Sequence, residues 1–188
     1  MEHLFSGSAI QMLFDFTFYY PLFMSYLWMC GGLYYYFHYE RNDPPYDQPP
    51  ALTEYPPVSI LVPCHNEASN IEDTVEALLA INYPTFEILL IDDGSTDTSP
   101  QMLDAMARKD SRIRVIHLAQ NQGKAVGLNT AAMMAKYDFF LCIDGDSVVD
   151  PHCLHWMMRH LVNSPRVGAV SGNPRIRTRS TLIGRIQV

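Results

Sequence analysis

The chain of 188 residues has no acidic residue after Asp150, although it holds 20 Asp and Glu in all and a net charge of -7. Beyond that point six arginines follow, Arg159, Arg166, Arg175, Arg177, Arg179 and Arg185. Such asymmetry suits an anionic partner near the C-terminal part, a diphosphate or lipid headgroups, or else a solvated basic surface. The four cysteines form no CxxC pair, and no histidine stands at metal-finger spacing from them, which excludes a zinc-finger framework. Cys30 and Cys142 sit inside apolar runs and read as reduced packing residues. The arginines lack interleaved aromatics and the domain is acidic, which excludes a nucleic-acid-binding surface.

No charge occurs between Phe16 and Phe37 either. An apolar stretch of that length can form a helix of about 33 Å, against a bilayer core of about 30 Å. Tyrosines gather at both ends of it (Tyr19 and Tyr20, then Tyr34, Tyr35, Tyr36 and Tyr39), like aromatic belts. The first 15 residues carry no Lys or Arg, and no small-residue cleavage site follows, so a secretory signal is a poor fit. The reading is an N-terminal flank at 1–15, a transmembrane helix at 16–39 and a stiff proline-rich linker at 40–57. Arg41 after the helix places the remainder in the cytoplasm by the positive-inside bias. A buried soluble helix is the alternative for 16–39.

From residue 58 the pattern alternates strand and helix. Strands are expected at 58–62, 86–91, 113–118, 139–143 and 167–170. A capping box from Ser69 to Glu72 opens the first helix of this part. Pro100 suits the start of the next. A third helix is expected at 123–136, and Asp150 and Pro151 open a fourth. Repeated βαβ units with right-handed crossovers give a mainly parallel sheet covered on both faces, and ligands then bind beyond the carboxyl ends of the strands.

Those ends carry "PCHNE" (63–67), "DDGSTD" (92–97), "NQGKAVGLN" (121–129) and "DGD" (144–146). Each alone has a plain structural reading as a turn or cap. The glycine spacing around Lys124 is not that of a P-loop. Together, at one edge of one sheet, they suit a nucleotide and a metal. Asp144 and Asp146 repel each other unless a cation lies between them. Mg²⁺ or Mn²⁺ is typically held by one or two carboxylates plus substrate phosphates. Gly145 leaves room for a diphosphate to approach the backbone.

These motifs, in this order, resemble the family 2 glycosyltransferases with their GT-A nucleotide-sugar fold, over about 58–188. The segment "NSPRVGAVSGNPRIRTRSTLIGRIQV" (163–188) and "HLAQNQGKA" (117–125) are similar to the bacterial poly-β-1,6-N-acetylglucosamine synthases of biofilm exopolysaccharide. The resemblance implies that Pro63, His65, Glu67 and Asp93, with Asp92 beside it, hold the uracil and ribose of UDP. It implies Lys124 near the nucleotide and Asp144 at the ribose–diphosphate region. Asp146 would be the ligand of Mg²⁺ or Mn²⁺, and Arg175 would face diphosphate or acceptor.

The family's catalytic base lies in a later Thr-Glu-Asp motif, and a Gln-x-x-Arg-Trp motif follows. Neither occurs in residues 1–188, so the expectation is the N-terminal, donor-binding part of a truncated GT-A domain, inactive alone. For the whole enzyme the resemblance implies inverting, metal-dependent transfer of N-acetylglucosamine from UDP-GlcNAc to a growing polysaccharide. It would act at the bacterial cytoplasmic membrane, with a small membrane accessory subunit and control by a cyclic dinucleotide. Two alternatives stand beside it. One is another family 2 enzyme, of hyaluronan, chitin, cellulose or lipid glycosyltransferase type. The other is a non-catalytic, membrane-tethered nucleotide-binding module.

Overall fold

A computed structural model describes residues 7–173. The chain divides into two compact units, Met1–Pro45 and Tyr46–Val188. Arg175 and the other arginines beyond 173 lie outside the described residues.

In the first unit, α1 (Gly7–Tyr35) runs unbroken through Pro21 and continues into a π-helical turn, Tyr36–Glu40. Aromatic rings stack one turn apart along it, Phe16 on Tyr20 at 5.2 Å and Tyr34 on His38 at 4.1 Å. None of its residues is buried. Among the described residues no helix is long and apolar enough to cross a membrane. The helix has the length, but tyrosines, glycines and hydroxyl side chains dilute its hydropathy.

The second unit carries β1 (Val58–Cys64), α2 (Ile71–Leu79), β2 (Phe86–Asp92), α3 (Ser99–Lys109), β3 (Ile113–His117), α4 (Lys124–Met134), β4 (Phe139–Cys142) and α5 (Cys153–Asn163). All four strands are parallel, in the order β3-β2-β1-β4. Cys64 pairs with Asp92, and Asp92 with His117, so these three strands end level. One face packs Ile60, Val62, Ile88 and Leu90 against Ile71, Val75 and Leu78 of α2, Leu103 of α3 and Leu154 of α5. The other packs Leu61, Leu89 and Ile91 under Ala131 of α4. Both faces are covered, which is why β1 and β2 read as continuous apolar runs rather than alternating ones. Truncating one of these fully buried leucines costs about 2–5 kcal/mol.

Residues 46–57 lie along the domain. The Trp156 indole Nε1–H donates to Tyr46 O at 2.8 Å, and Tyr83 Oη donates to Pro56 O at 2.8 Å. His155 Nε2 lies 2.7 Å from Pro50 O.

Two local expectations fail. The capping box does not form: α2 starts at Ile71 behind Asn70, which makes no side-chain cap bond. The amides of Asn70 and Ile71 bond instead to Glu67 O, at 2.9 and 3.0 Å, so a backbone turn does the capping. The fifth strand at 167–170 is absent. Val167 N bonds Ser164 O at 2.9 Å in a turn that closes α5, and Gly172 then passes against Met157 of that helix. The apolar residues of 167–170 follow α5 rather than the sheet.

Candidate functional site

The chain runs outward from β1 to β2 to β3, then returns to place β4 on the other side of β1. The strand order therefore reverses between β1 and β4, the position where parallel sheets leave a crevice. A cavity of about 280 Å³ opens there, lined by Pro63, Cys64, His65, Glu67, Asp93, Lys124, Asp144, Gly145 and Asp146. Seven of the residues singled out from the sequence are thus brought together. Asp92 is not among them, and Arg175 lies outside the described residues.

The loops that line the cavity are tied to one another. Both Asp93 carboxylate oxygens accept backbone N–H groups, from Gln122 and Gly123, each at 2.8 Å. Asp93 is buried, so its anion is matched by two amides at the entry to α4 rather than by solvent. Gly94 has φ of +63°, and a Cβ there would meet Asn121 N and Gln120 C at 2.6 Å. Only glycine permits the loop after β2 to touch the loop after β3 so closely. Gly145 is held from behind: its carbonyl accepts from Thr74 Oγ1 of α2 at 2.9 Å. A Cβ on Gly145 would lie 3.3 Å from Cys64 Sγ, Glu67 Cγ and Pro63 O. Lys124 Nζ reaches from the start of α4 to Asp144 Oδ1 as an ion pair.

Asp92 does different work. Its Oδ1 accepts Ser95 N at 2.9 Å and its Oδ2 faces His117 Nδ1 at 2.9 Å. His117 Nε2 is 3.1 Å from Asp104 Oδ1. Burial pushes the Asp92 carboxyl up, but the bonds from His117 and Ser95 outweigh it and hold it below the ordinary carboxylate value. The bond to Asp92 raises His117, burial opposes this, and Asp104 adds to the rise. Cys64 is also buried, and burial, with Glu67 and Asp92 nearby, pushes its thiol up to about 12. It packs the cavity wall and offers no thiolate.

Thr74, His117 and Asn66 escaped the sequence reading as site residues. Asn66 stood in plain view within "PCHNE", and a positive φ of 57° marks it. Thr74 and His117 carry no local signal, because each acts through a partner distant in sequence.

Among the described residues no group of three or more His, Cys, Asp or Glu is placed to hold a metal ion. Asp144 and Asp146 nonetheless flank Gly145 at the cavity. Two carboxylates suit a hard divalent cation whose remaining ligands come from a substrate's phosphates and water. The donor set fits such an ion and does not fit a soft or thiolate-bound one.

Residues 59–187 match the pattern of Glycosyl transferase family 2. The chain belongs to that family. As a family 2 chain it is 37% identical over 181 residues to the poly-beta-1,6-N-acetyl-D-glucosamine synthase of Staphylococcus aureus, covering 94% of this chain and 43% of that one. It is 34% identical over 179 residues to the synthase of the same description from Staphylococcus epidermidis, covering 93% of this chain and 42% of that one. The chain spans less than half the length of these curated relatives. Among solved structures, mannosyltransferase PcManGT from Pyrobaculum calidifontis, in complex with GDP-Man and Mn²⁺, matches with a TM-score of 0.59. It shares 29% identity and covers 72% of this chain and 41% of that one. The parallel α/β sheet is thus the GT-A-like fold of family 2 glycosyltransferases.

Proposed function

We propose that residues 58–188 form the donor-binding part of a membrane glycosyltransferase that moves N-acetylglucosamine from UDP-GlcNAc to a growing poly-β-1,6-GlcNAc chain. The observation that carries this reading is the convergence of Asp93, Lys124, Asp144 and Asp146 on one cavity at the strand-order reversal. The 37% identity to a synthase over 94% of this chain supports the product.

His65, Glu67 and Asp93 bound the side of the cavity where the nucleoside would lie, with Pro63 as its floor. Asp93 acts there through the amides of Gln122 and Gly123, since both its oxygens are engaged. Lys124 supplies a cation for the diphosphate. Asp146 is the proposed ligand of Mg²⁺ or Mn²⁺, with Asp144 beside it. Such an ion would neutralise charge on the departing diphosphate. Arg175 is proposed at the diphosphate or the acceptor. Asp92 supports the site from beneath rather than touching the donor.

Placement at the bacterial cytoplasmic membrane, with the second unit in the cytoplasm, rests on α1. It exposes Trp28 at 74% and Met12 at 75%, and no α1 residue is buried. A helix that leaves so many large apolar side chains exposed calls for a lipid or protein covering. Tyr19, Tyr20 and Tyr34 to Tyr36 suit the two interfaces.

A second donor class is favoured by the likeness to a GDP-mannose-bound enzyme. The test is calorimetric titration of the detergent-solubilised chain with UDP-GlcNAc and with GDP-mannose, with and without Mn²⁺, repeated on Asp146→Asn. Metal-dependent binding of UDP-GlcNAc that Asp146→Asn abolishes is expected. Preference for GDP-mannose would overturn the sugar assignment, and binding of neither would overturn the donor site.

A further inference from the structure

The loops after β1 and β2 contribute His65, Glu67 and Asp93 to the cavity, yet neither loop has regular structure. One side chain that does not line the cavity holds them together. Asn66 Oδ1 accepts from Thr96 N at 2.9 Å, Asp97 N at 3.3 Å and Thr96 Oγ1 at 3.4 Å. Its own N–H donates to Ser95 Oγ at 3.0 Å. Its Nδ2 lies 3.2 Å from His65 Nε2, while His65 Nδ1 lies 2.8 Å from Asp93 O. A carbonyl can only accept, so Nδ1 carries the proton and Nε2 accepts from the Asn66 amide. The tautomer and ring plane of His65 are set by these two contacts. Ala68 N to Asp97 Oδ2, at 3.3 Å, adds a bond between the same loops.

Asn66 also has φ of 57°, the left-handed region. Glycine satisfies that demand with no steric cost, and asparagine is among the few other residues that tolerate it. If backbone shape were all that mattered, glycine would serve as well. The three bonds to Oδ1 are a second demand that only an acceptor of this length meets.

We infer that Asn66 is a positioning residue for the nucleotide-sugar donor, fastening loop 65–67 to turn 95–97 so that His65, Glu67 and Asp93 face the cavity as one surface. This rests on the donor-site reading above. Asn66 acts through His65 and the turn, not by touching the donor.

The test compares Asn66→Gly with Asn66→Asp in the full chain. Each is followed by UDP-GlcNAc titration with Mn²⁺, by amide hydrogen exchange at Thr96 and Asp97, and by thermal melting. Asn66→Gly keeps the left-handed turn and loses the acceptor. It is expected to melt near the wild type, to exchange faster at Thr96 and Asp97, and to bind the donor about tenfold more weakly. Asn66→Asp keeps the acceptor for Thr96 and Asp97 but loses the amide donor to His65 Nε2. It is expected to keep the protection of the turn and to bind UDP-GlcNAc more tightly than Asn66→Gly, within about threefold of wild type. Wild-type affinity and unchanged exchange in Asn66→Gly would overturn the inference, leaving Asn66 a turn residue only. Equal loss of affinity in both variants, with protection intact in Asn66→Asp, would mean that fastening the turn does not support donor binding, and would overturn it too. A wild-type chain that bound no nucleotide would sink the donor-site reading instead. The exchange comparison would then decide the fastening alone, and unchanged protection in Asn66→Gly would reject it.

Discussion

Lys124 at the first residue of α4 is ion-paired to Asp144 beyond the end of β4, across the cavity that both line. A divalent cation bound by Asp144 and Asp146, as proposed above, would compete with this ammonium for Asp144. Both side chains are more than half exposed, so the pair is screened and readily exchanged. If metal and donor bind as proposed, Lys124 is free to leave Asp144 for the diphosphate.

Replacing Lys124 by Met should change two affinities in opposite directions. Binding of Mn²⁺ alone should tighten, by about two- to fivefold, because Asp144 loses its resident counter-ion. Binding of UDP with Mn²⁺ should weaken, because the diphosphate loses a cation. Paramagnetic titration of free Mn²⁺ and calorimetry with UDP read the two separately. A loss in both would mean that Lys124 only builds the loop.

The two glycines at the loops should rank in order of crowding. Gly94→Ala places a Cβ 2.6 Å from backbone of Gln120 and Asn121 and forces a non-glycine residue to φ of +63°. It should destabilise the domain by about 1–3 kcal/mol and separate Asp93 from the amides of Gln122 and Gly123. Gly145→Ala meets its neighbours at 3.3 Å, and two of the three are side-chain atoms that can shift. Urea unfolding should show Gly94→Ala as the more damaging. The reverse order would mean that the loop after β3 yields more easily than the packing suggests.

The contrast between Asp92 and Asp93 explains what the sequence could and could not reveal. Adjacent residues at a strand end point to opposite sides, and the letters "DD" do not say which side meets the cavity. Structure assigns Asp93 to the cavity wall and Asp92 to His117, 25 residues away. Strands β1 and β2 were legible because both faces are covered, so that every residue of β2 is buried. The Ser69–Glu72 box was misleading because Glu67 O had already capped the helix. Residues 167–170 have strand composition, but the turn from Ser164 to Val167 carries the chain away from the sheet, and Val167, Gly168 and Ala169 are left exposed.

The Asp92–His117–Asp104 chain gives stability a pH signature. His117 has a folded value raised above its ordinary 6.5, chiefly by its bond to Asp92. Its contribution is complete below 6.5 and is lost as pH rises through the raised value. Asp92 is held below its ordinary 3.8, with burial opposing the bonds from His117 and Ser95. Its contribution is present above 3.8 and is lost as pH falls through the depressed value. The link should therefore be strongest between these limits and fade on the alkaline side. Urea midpoints of wild type should fall toward those of His117→Gln as pH rises from about 6 to about 9. Parallel curves for the two proteins over that range would show that His117 does not carry this linkage.

Two thiols near the cavity should react very differently. Cys64 lines it, but the sulfur is buried against Gly145, and burial, with Glu67 and Asp92, holds its thiol at about 12. Cys142, on β4, is exposed; burial of part of its side chain raises it, and Lys124 pulls it back. The attacking species is the thiolate, so at mildly alkaline pH Cys64 offers almost none. Brief treatment with iodoacetamide followed by peptide mass spectrometry should find Cys142 modified and Cys64 intact. UDP binding should survive if the thiol at the cavity wall only packs. Rapid modification of Cys64 would show instead that the loops around Gly145 open in solution. The cavity would then be assembled by the donor rather than waiting for it.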